Sequence, residues 1–133
     1  MPHTVSPDRI WRNDEVREVF LSDRRKEMYL SAGGKKFCLG TALGLLNATN
    51  EVRSSAIPGL SVPFFVAHGT KDYGVPVAGT EYLVEHSTTA SDDDRCVRLV
   101  EDGYHCLLSE DTRLETAKAL VDWLDSRQSK SAF

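Results

Sequence analysis

From Val62 onward the sequence predicts an α/β fold built on parallel strands. Three observations carry this. Val62 to Ala67 is an unbroken apolar run rich in valine and phenylalanine, the pattern of a strand covered on both faces rather than of an exposed antiparallel one. The order from there is strand, helix, strand, helix, which suits two parallel strands joined by a right-handed crossover. Finally, Thr112 and Glu115 stand in the T-x-x-E form of a capping box, on which the apolar stripe Leu114, Ala117, Leu120, Val121 and Leu124 follows.

The remaining elements follow from spacing. Residues 1 to 12 read as irregular. Asp14 to Met28 reads as a charged helix, with Val16, Val19 and Phe20 at i, i+3, i+4 and the basic run Arg24-Arg25-Lys26 near its end. Gly33-Gly34 breaks that pattern. Phe37 to Ser55 reads as a longer amphipathic helix, with Leu39, Leu43, Leu46 and Ala48 apolar and Asn50, Glu51 and Arg53 polar. Gly40 and Gly44, one turn apart, predict close packing of another element on that face. Ile57 to Ser61 is a connector. Pro76 to His86 suits a helix with proline in its first turn. Ser87 to Asp94 reads as a polar loop, and its Asp92-Asp93-Asp94 run lacks the glycine and spaced ligands of a calcium loop. Cys96 to Glu101 is the second strand, with its turn at Gly103. The last helix runs to Arg127 and leaves a frayed tail.

Composition narrows the function. A chain of 133 residues is one domain or a piece of one. Hydrophobic residues make up 41%, ordinary globular usage. A net charge of -4 and a pI near 5.5 argue against nucleic acid as a main partner. The first residues lack the apolar core of a signal peptide, and the longest near-apolar run, Phe37 to Leu46, is far short of the ~20 residues that span a bilayer. The chain is therefore expected in the cytoplasm. Cys38, Cys96 and Cys106 have no C-x-x-C spacing and are odd in number, so they read as free thiols. No pair of histidines has metal-ligand spacing, and neither a metal nor a cofactor is expected.

The chemistry lies at the ends of the two strands. Asp72 follows the first within His68-Gly69-Thr70-Lys71-Asp72, and His105 follows the second within Gly103-Tyr104-His105. Alone, each would be an ordinary polar loop residue. They stand 33 residues apart, which matches one strand-helix-strand crossover of about 30 residues. Ligands in open parallel sheets bind beyond the carboxyl ends of the strands. A histidine there can take and return a proton near neutrality, and a carboxylate on its other nitrogen fixes the tautomer. Asp72 and His105 are thus candidates for the last two members of a Ser…Asp…His triad. The first is missing. Ser61 has proline at 63 where a G-x-S-x-G elbow needs glycine, and it precedes a strand instead of following one. His68-Gly69 has no downstream elbow to serve, so His68 reads as a strand-end histidine bonded locally. His3 and His86 read as surface residues. Cys106, next to His105 in the chain, is not taken as a nucleophile.

Three blocks resemble a known family: Phe37-Cys38-Leu39-Gly40-Thr41-Ala42-Leu43-Gly44-Leu45-Leu46-Asn47-Ala48-Thr49; Val62 to Pro76 with its H-G-x-x-D; and Gly103-Tyr104-His105-Cys106-Leu107-Leu108-Ser109-Glu110. Together they resemble the C-terminal half of the monoacylglycerol lipase and lysophospholipase branch of the α/β-hydrolases, in the group labelled serine aminopeptidase S33-like, from Ser6 to Arg127. The resemblance implies an α/β chain that is a C-terminal fragment of an α/β-hydrolase. Residues 1–60 would be a partial helical cap or lid, 61–127 the last two parallel strands with their helices, and 128–133 a tail. It implies that Asp72 is the catalytic acid and His105 the catalytic base, with a monoacylglycerol or lysophospholipid ester as substrate and the cap meeting a membrane surface. The family's nucleophile elbow and oxyanion loop precede the cap and have no counterpart here, and Asp23-Arg24-Arg25 stands where the family often has D-P-L. Such a chain is expected to be inactive alone and poorly soluble or partnered. A peptidase or general esterase on the same scaffold, and a non-catalytic cap or binding module, are the alternatives.

Overall fold

The computed structural model describes residues 6–23, 38–89 and 91–131. Among these it is a mixed helix and strand structure. Helices α1 (Pro7–Ile10), α2 (Asp14–Ser22) and α3 (Leu39–Glu51) come first, and a π-helical turn (Val52–Ala56) prolongs α3. Then come β1 (Phe64–Gly69), α4 (Ala78–His86), β2 (Arg95–Val100) and α5 (Arg113–Ser131), with short 3₁₀ turns at Asp92–Asp94 and Leu107–Ser109. The two strands pair in parallel, in register from Phe64 opposite Arg95 to Gly69 opposite Val100. Their carboxyl ends are therefore level, which is what brings the two loops beyond them together. α5 meets β1 where the Trp123 and Phe65 rings lie 6.1 Å apart. The end of α3 meets α4 where the Tyr82 hydroxyl donates to Arg53 O at 3.1 Å and the Arg53 guanidinium covers the Tyr82 ring.

Several boundaries differ from expectation, each for a local reason. β1 starts at Phe64, after Pro63, which has no N–H to give a ladder; before it, Val62 O accepts from the Thr89 hydroxyl instead. β2 correspondingly begins at Arg95 and ends at Val100. Residues 7–10 are a short helix rather than irregular chain, with proline in its first turn. α2 stops at Ser22, well before Met28. The Ser22 hydroxyl bonds back to Val19 O at 2.8 Å, and Asp23 is extended. The rest of that expected helix, with Arg24-Arg25-Lys26 and Gly33-Gly34, lies outside the described residues. The capping box on α5 does not form. Thr112 Oγ1 is buried without a hydrogen-bond partner among the described residues, and Glu115 reaches across to Arg98 on β2. α5 also runs through the expected tail boundary to Ser131. Gly40 and Gly44 face open space, so nothing among the described residues packs closely on that side of α3.

The core is thin. Among the described residues the buried apolar side chains are Val100 and Leu107, at 6% and 8% exposure. Leu39, Leu43 and Leu46 on α3, Leu99 on β2, and Leu114, Val121 and Leu124 on α5 are all exposed. The chain exposes 9748 Å² in all, whereas a compact monomer of 14.8 kDa would expose about 7,000 Å². Covering one leucine-sized side chain is worth about 1.5–3 kcal/mol, so these faces together represent a large share of an ordinary domain's stability of about 5–15 kcal/mol. No helix among the described residues is long and apolar enough to cross a membrane.

Candidate active site

The two loops that leave the level ends of β1 and β2 are stitched together by backbone. Thr70 N donates to Val100 O at 3.0 Å and Lys71 N to Gly103 O at 2.9 Å. In return, Asp102 N donates to the Thr70 hydroxyl at 2.8 Å, and Lys71 pairs with the Asp102 carboxylate at 2.7 Å. Asp102 makes the turn with φ 56°, in the left-handed region that aspartate tolerates better than most residues. Gly69 is required by proximity. A Cβ built on it would lie 2.2 Å from Gly103 O and 2.6 Å from Tyr104 O, both main-chain atoms. The glycines of H-G-x-x-D and G-Y-H are thus in contact with each other, and the acid and the histidine are carried on adjoining loops.

Asp72 is held from two sides. Its Oδ1 accepts from Gly74 N at 2.7 Å and Val75 N at 2.8 Å, an Asx-type turn. Its Oδ2 accepts from His105 Nδ1 at 2.9 Å. The Asp72 side chain is 5% exposed and that of His105 42%. Burial works against ionisation of Asp72. The N–H of Val75, the His105 ring and the N–H of Gly74 outweigh it, and the carboxyl sits below its usual range. Because Nδ1 gives its proton to Asp72, Nε2 of neutral His105 is the basic nitrogen. It has no hydrogen-bond partner among the described residues, so it can take a proton from a reacting group.

A carboxylate whose folded pKa is depressed contributes stability that is complete above the unfolded pKa, about 3.9 for aspartate, and is lost as pH falls through the lower folded value. Acid titration followed by tryptophan fluorescence is therefore expected to show wild-type protein holding above about pH 4 and losing stability below it. Asp72→Asn should show a smaller step, since Asp102, lowered by Lys71, and Asp8 titrate in the same direction.

A cavity of ≈ 210 Å³ opens beside the pair, lined by Ala67, His68, Gly69, Asp72, Val75, His105 and Leu107. Next to it lies a wider apolar groove of ≈ 500 Å³ between β1 and α5, which includes Phe65, Leu107, Leu108, Ala117 and Leu120. Compared with protein-family models and with curated proteins, the chain matches none. Both of the expected site residues, Asp72 and His105, come together as a hydrogen-bonded pair.

The other candidates fall elsewhere. Ser61 lies in the connector before β1. His86 stacks on Tyr82 at 3.8 Å, and its Nδ1 approaches Tyr82 O. His3 is outside the described residues. The Cys106 thiol is pushed up by burial and by the nearby Asp72 and Glu110 charges, so it remains a thiol rather than a nucleophilic thiolate. Among the described residues no group of three or more histidine, cysteine or acidic side chains is placed to hold a metal ion. The helical segment at the start of the chain reaches the same loops: Arg9 stacks over the Tyr73 ring at 5.3 Å and Arg12 bonds Asp102 O. One residue at the pair is underrated by sequence. His68 Nε2 lies 3.3 Å from Asp72 Oδ2. The available signal is the four-residue spacing from His68 to Asp72, which says nothing until the intervening turn is known.

Proposed function

We propose that this chain is the C-terminal, acid-and-base-bearing part of a serine hydrolase of the α/β-hydrolase type. Its substrate class is a carboxylic ester of a lipid, a monoacylglycerol or a lysophospholipid. Asp72 orients and stabilises His105, and His105 Nε2 takes the proton of a serine hydroxyl supplied by a segment outside this chain, then returns it to the leaving alcohol. The observation that supports this most is the 2.9 Å bond from His105 Nδ1 to Asp72 Oδ2 at the carboxyl ends of two neighbouring parallel strands. The uncovered faces of α3, β2 and α5 support the view that more of the fold is needed to cover them. The lipid ester class, and the role of residues 1–60 as a cap that meets a membrane surface, rest on the resemblance of the three sequence blocks.

The test uses a fluorophosphonate probe, which labels an activated serine. The chain of 133 residues is expected to give no adduct. A protein expressed from a longer reading frame that adds a Gly-x-Ser-x-Gly turn ahead of Met1 is expected to label at that serine and to hydrolyse a monoacylglycerol faster than an aminoacyl substrate. A labelled serine within the short chain would contradict the missing-nucleophile reading. Preference for the aminoacyl substrate would move the assignment to a peptidase.

A further inference from the structure

His68 sits where the Asp72 turn, β1 and α4 converge. Its Nδ1 is 2.6 Å from the hydroxyl of Thr80, and its Nε2 is 3.0 Å from Val75 O. The same Nε2 is 3.3 Å from Asp72 Oδ2, and the ring is 11% exposed. Both neighbours of Nε2 are acceptors, so Nε2 carries the proton. In the neutral ring Nδ1 is then an acceptor, and Thr80 donates to it. Thr80 is buried, at 6% exposure, in the first turn of α4. Its hydroxyl is spent on the histidine rather than on its own helix. The residue whose carbonyl His68 holds, Val75, is also the one whose N–H holds Asp72 Oδ1.

We propose that His68, oriented by Thr80, is a positioning residue for the Asp72–His105 pair. This deepens the hydrolase reading and rests on it for its catalytic meaning. The Nε2–H fixes the Val75 carbonyl, and with it the turn that aims Asp72. It also sets the positive end of its N–H dipole toward the oxygen that receives His105. With that support the carboxylate has one orientation, and His105 keeps its proton on Nδ1 and its free pair on Nε2.

The experiment is done on the chain itself, with ¹⁵N-labelled histidine and long-range ¹H–¹⁵N correlation, which reports the tautomer of each ring. In wild type, His68 is expected as the Nε2–H form and His105 as the Nδ1–H form, with a slowly exchanging Nδ1 proton. In His68→Leu, the His105 Nδ1 proton is expected to exchange with water about tenfold faster, the loss of about one hydrogen bond's worth of protection, and the ring is expected to populate both tautomers. His68→Gln, whose amide can donate to Val75 O, should restore the wild-type His105 signals. Thr80→Val should leave His68 in the Nε2–H form, with its ring no longer anchored at Nδ1, and give the same loosening at His105; it decides the matter if His68→Leu does not fold. A purely structural histidine would lower stability in these variants and leave the His105 signals as they are, and that result overturns the proposal. The signals come from the pair and need no turnover. Failure of the fluorophosphonate test therefore removes the hydrolase reading alone, and an unchanged His105 spectrum removes only the role of His68.

Discussion

Replacing Asp72 with asparagine in the proposed full-length hydrolase is expected to lower kcat by about 10⁴-fold, with KM little changed. The substituted asparagine would keep the size of the side chain and its turn. Its oxygen can still accept from Gly74 N and Val75 N, as Oδ1 does now at 2.7 and 2.8 Å. That choice leaves the amide NH₂ facing His105 Nδ1, where Oδ2 now accepts at 2.9 Å. Two donors cannot share that bond, so the ring must move its proton to Nε2. The nitrogen that should receive the serine proton is then already protonated. The negative charge that stabilises the imidazolium is lost as well. The measurement is a steady-state comparison on a monoacylglycerol, with the His105 tautomer read by NMR in parallel. A decrease of less than tenfold would show that Asp72 does not govern the base.

The second large effect is structural. Gly69→Ala is expected to cost about 3 kcal/mol or more of stability and to separate Asp72 from His105. The added methyl would meet the Gly103 carbonyl oxygen at 2.2 Å and its carbon at 2.4 Å. These are main-chain atoms of a tight turn, with Gly103 O already bonded to Lys71 N, so neither can swing away as a side chain would. One loop must leave the other, and Asp72 and His105 go with them. Gly79 supplies the control. It lies inside α4 with nothing within 4 Å of where a methyl would stand, so Gly79→Ala is expected to be neutral or to stabilise by up to about 1 kcal/mol. Urea unfolding midpoints of the two variants check both. A loss under about 0.5 kcal/mol for Gly69→Ala would falsify the case for close approach.

The parts of the fold that are legible in the sequence are those set by local physics. An unbroken apolar run bounded by a proline and a glycine makes β1, and the spacing to the next such run makes the parallel partner. The acid and the histidine can be placed because each follows its strand by only a few residues, which leaves little room for the loops to diverge. What sequence misses depends on partners distant in the chain. Glu115 fits a capping box until Arg98 on β2 is there to draw it away. The two glycines of α3 suggest close packing, but the element that would cover them is not among the described residues. His68 resembles any strand-end histidine until the Asp72 turn folds back over it. Asn13 at the start of α2, whose side chain accepts from Val16 N at 3.1 Å, is a cap that periodicity does not single out.

The touching glycines of the two loops have a consequence for how the proposed hydrolase would be put together. The contacts that hold the carboxylate against the imidazole, main-chain and side-chain alike, all lie within this chain, so the pairing is complete without a further segment. In the proposed hydrolase, a separately made piece bearing the nucleophile would have to cover the open faces of α3, β2 and α5 as well as meet this preset pair. A pairing completed by one segment in this way could serve in a reporter whose signal depends on two proteins being brought together.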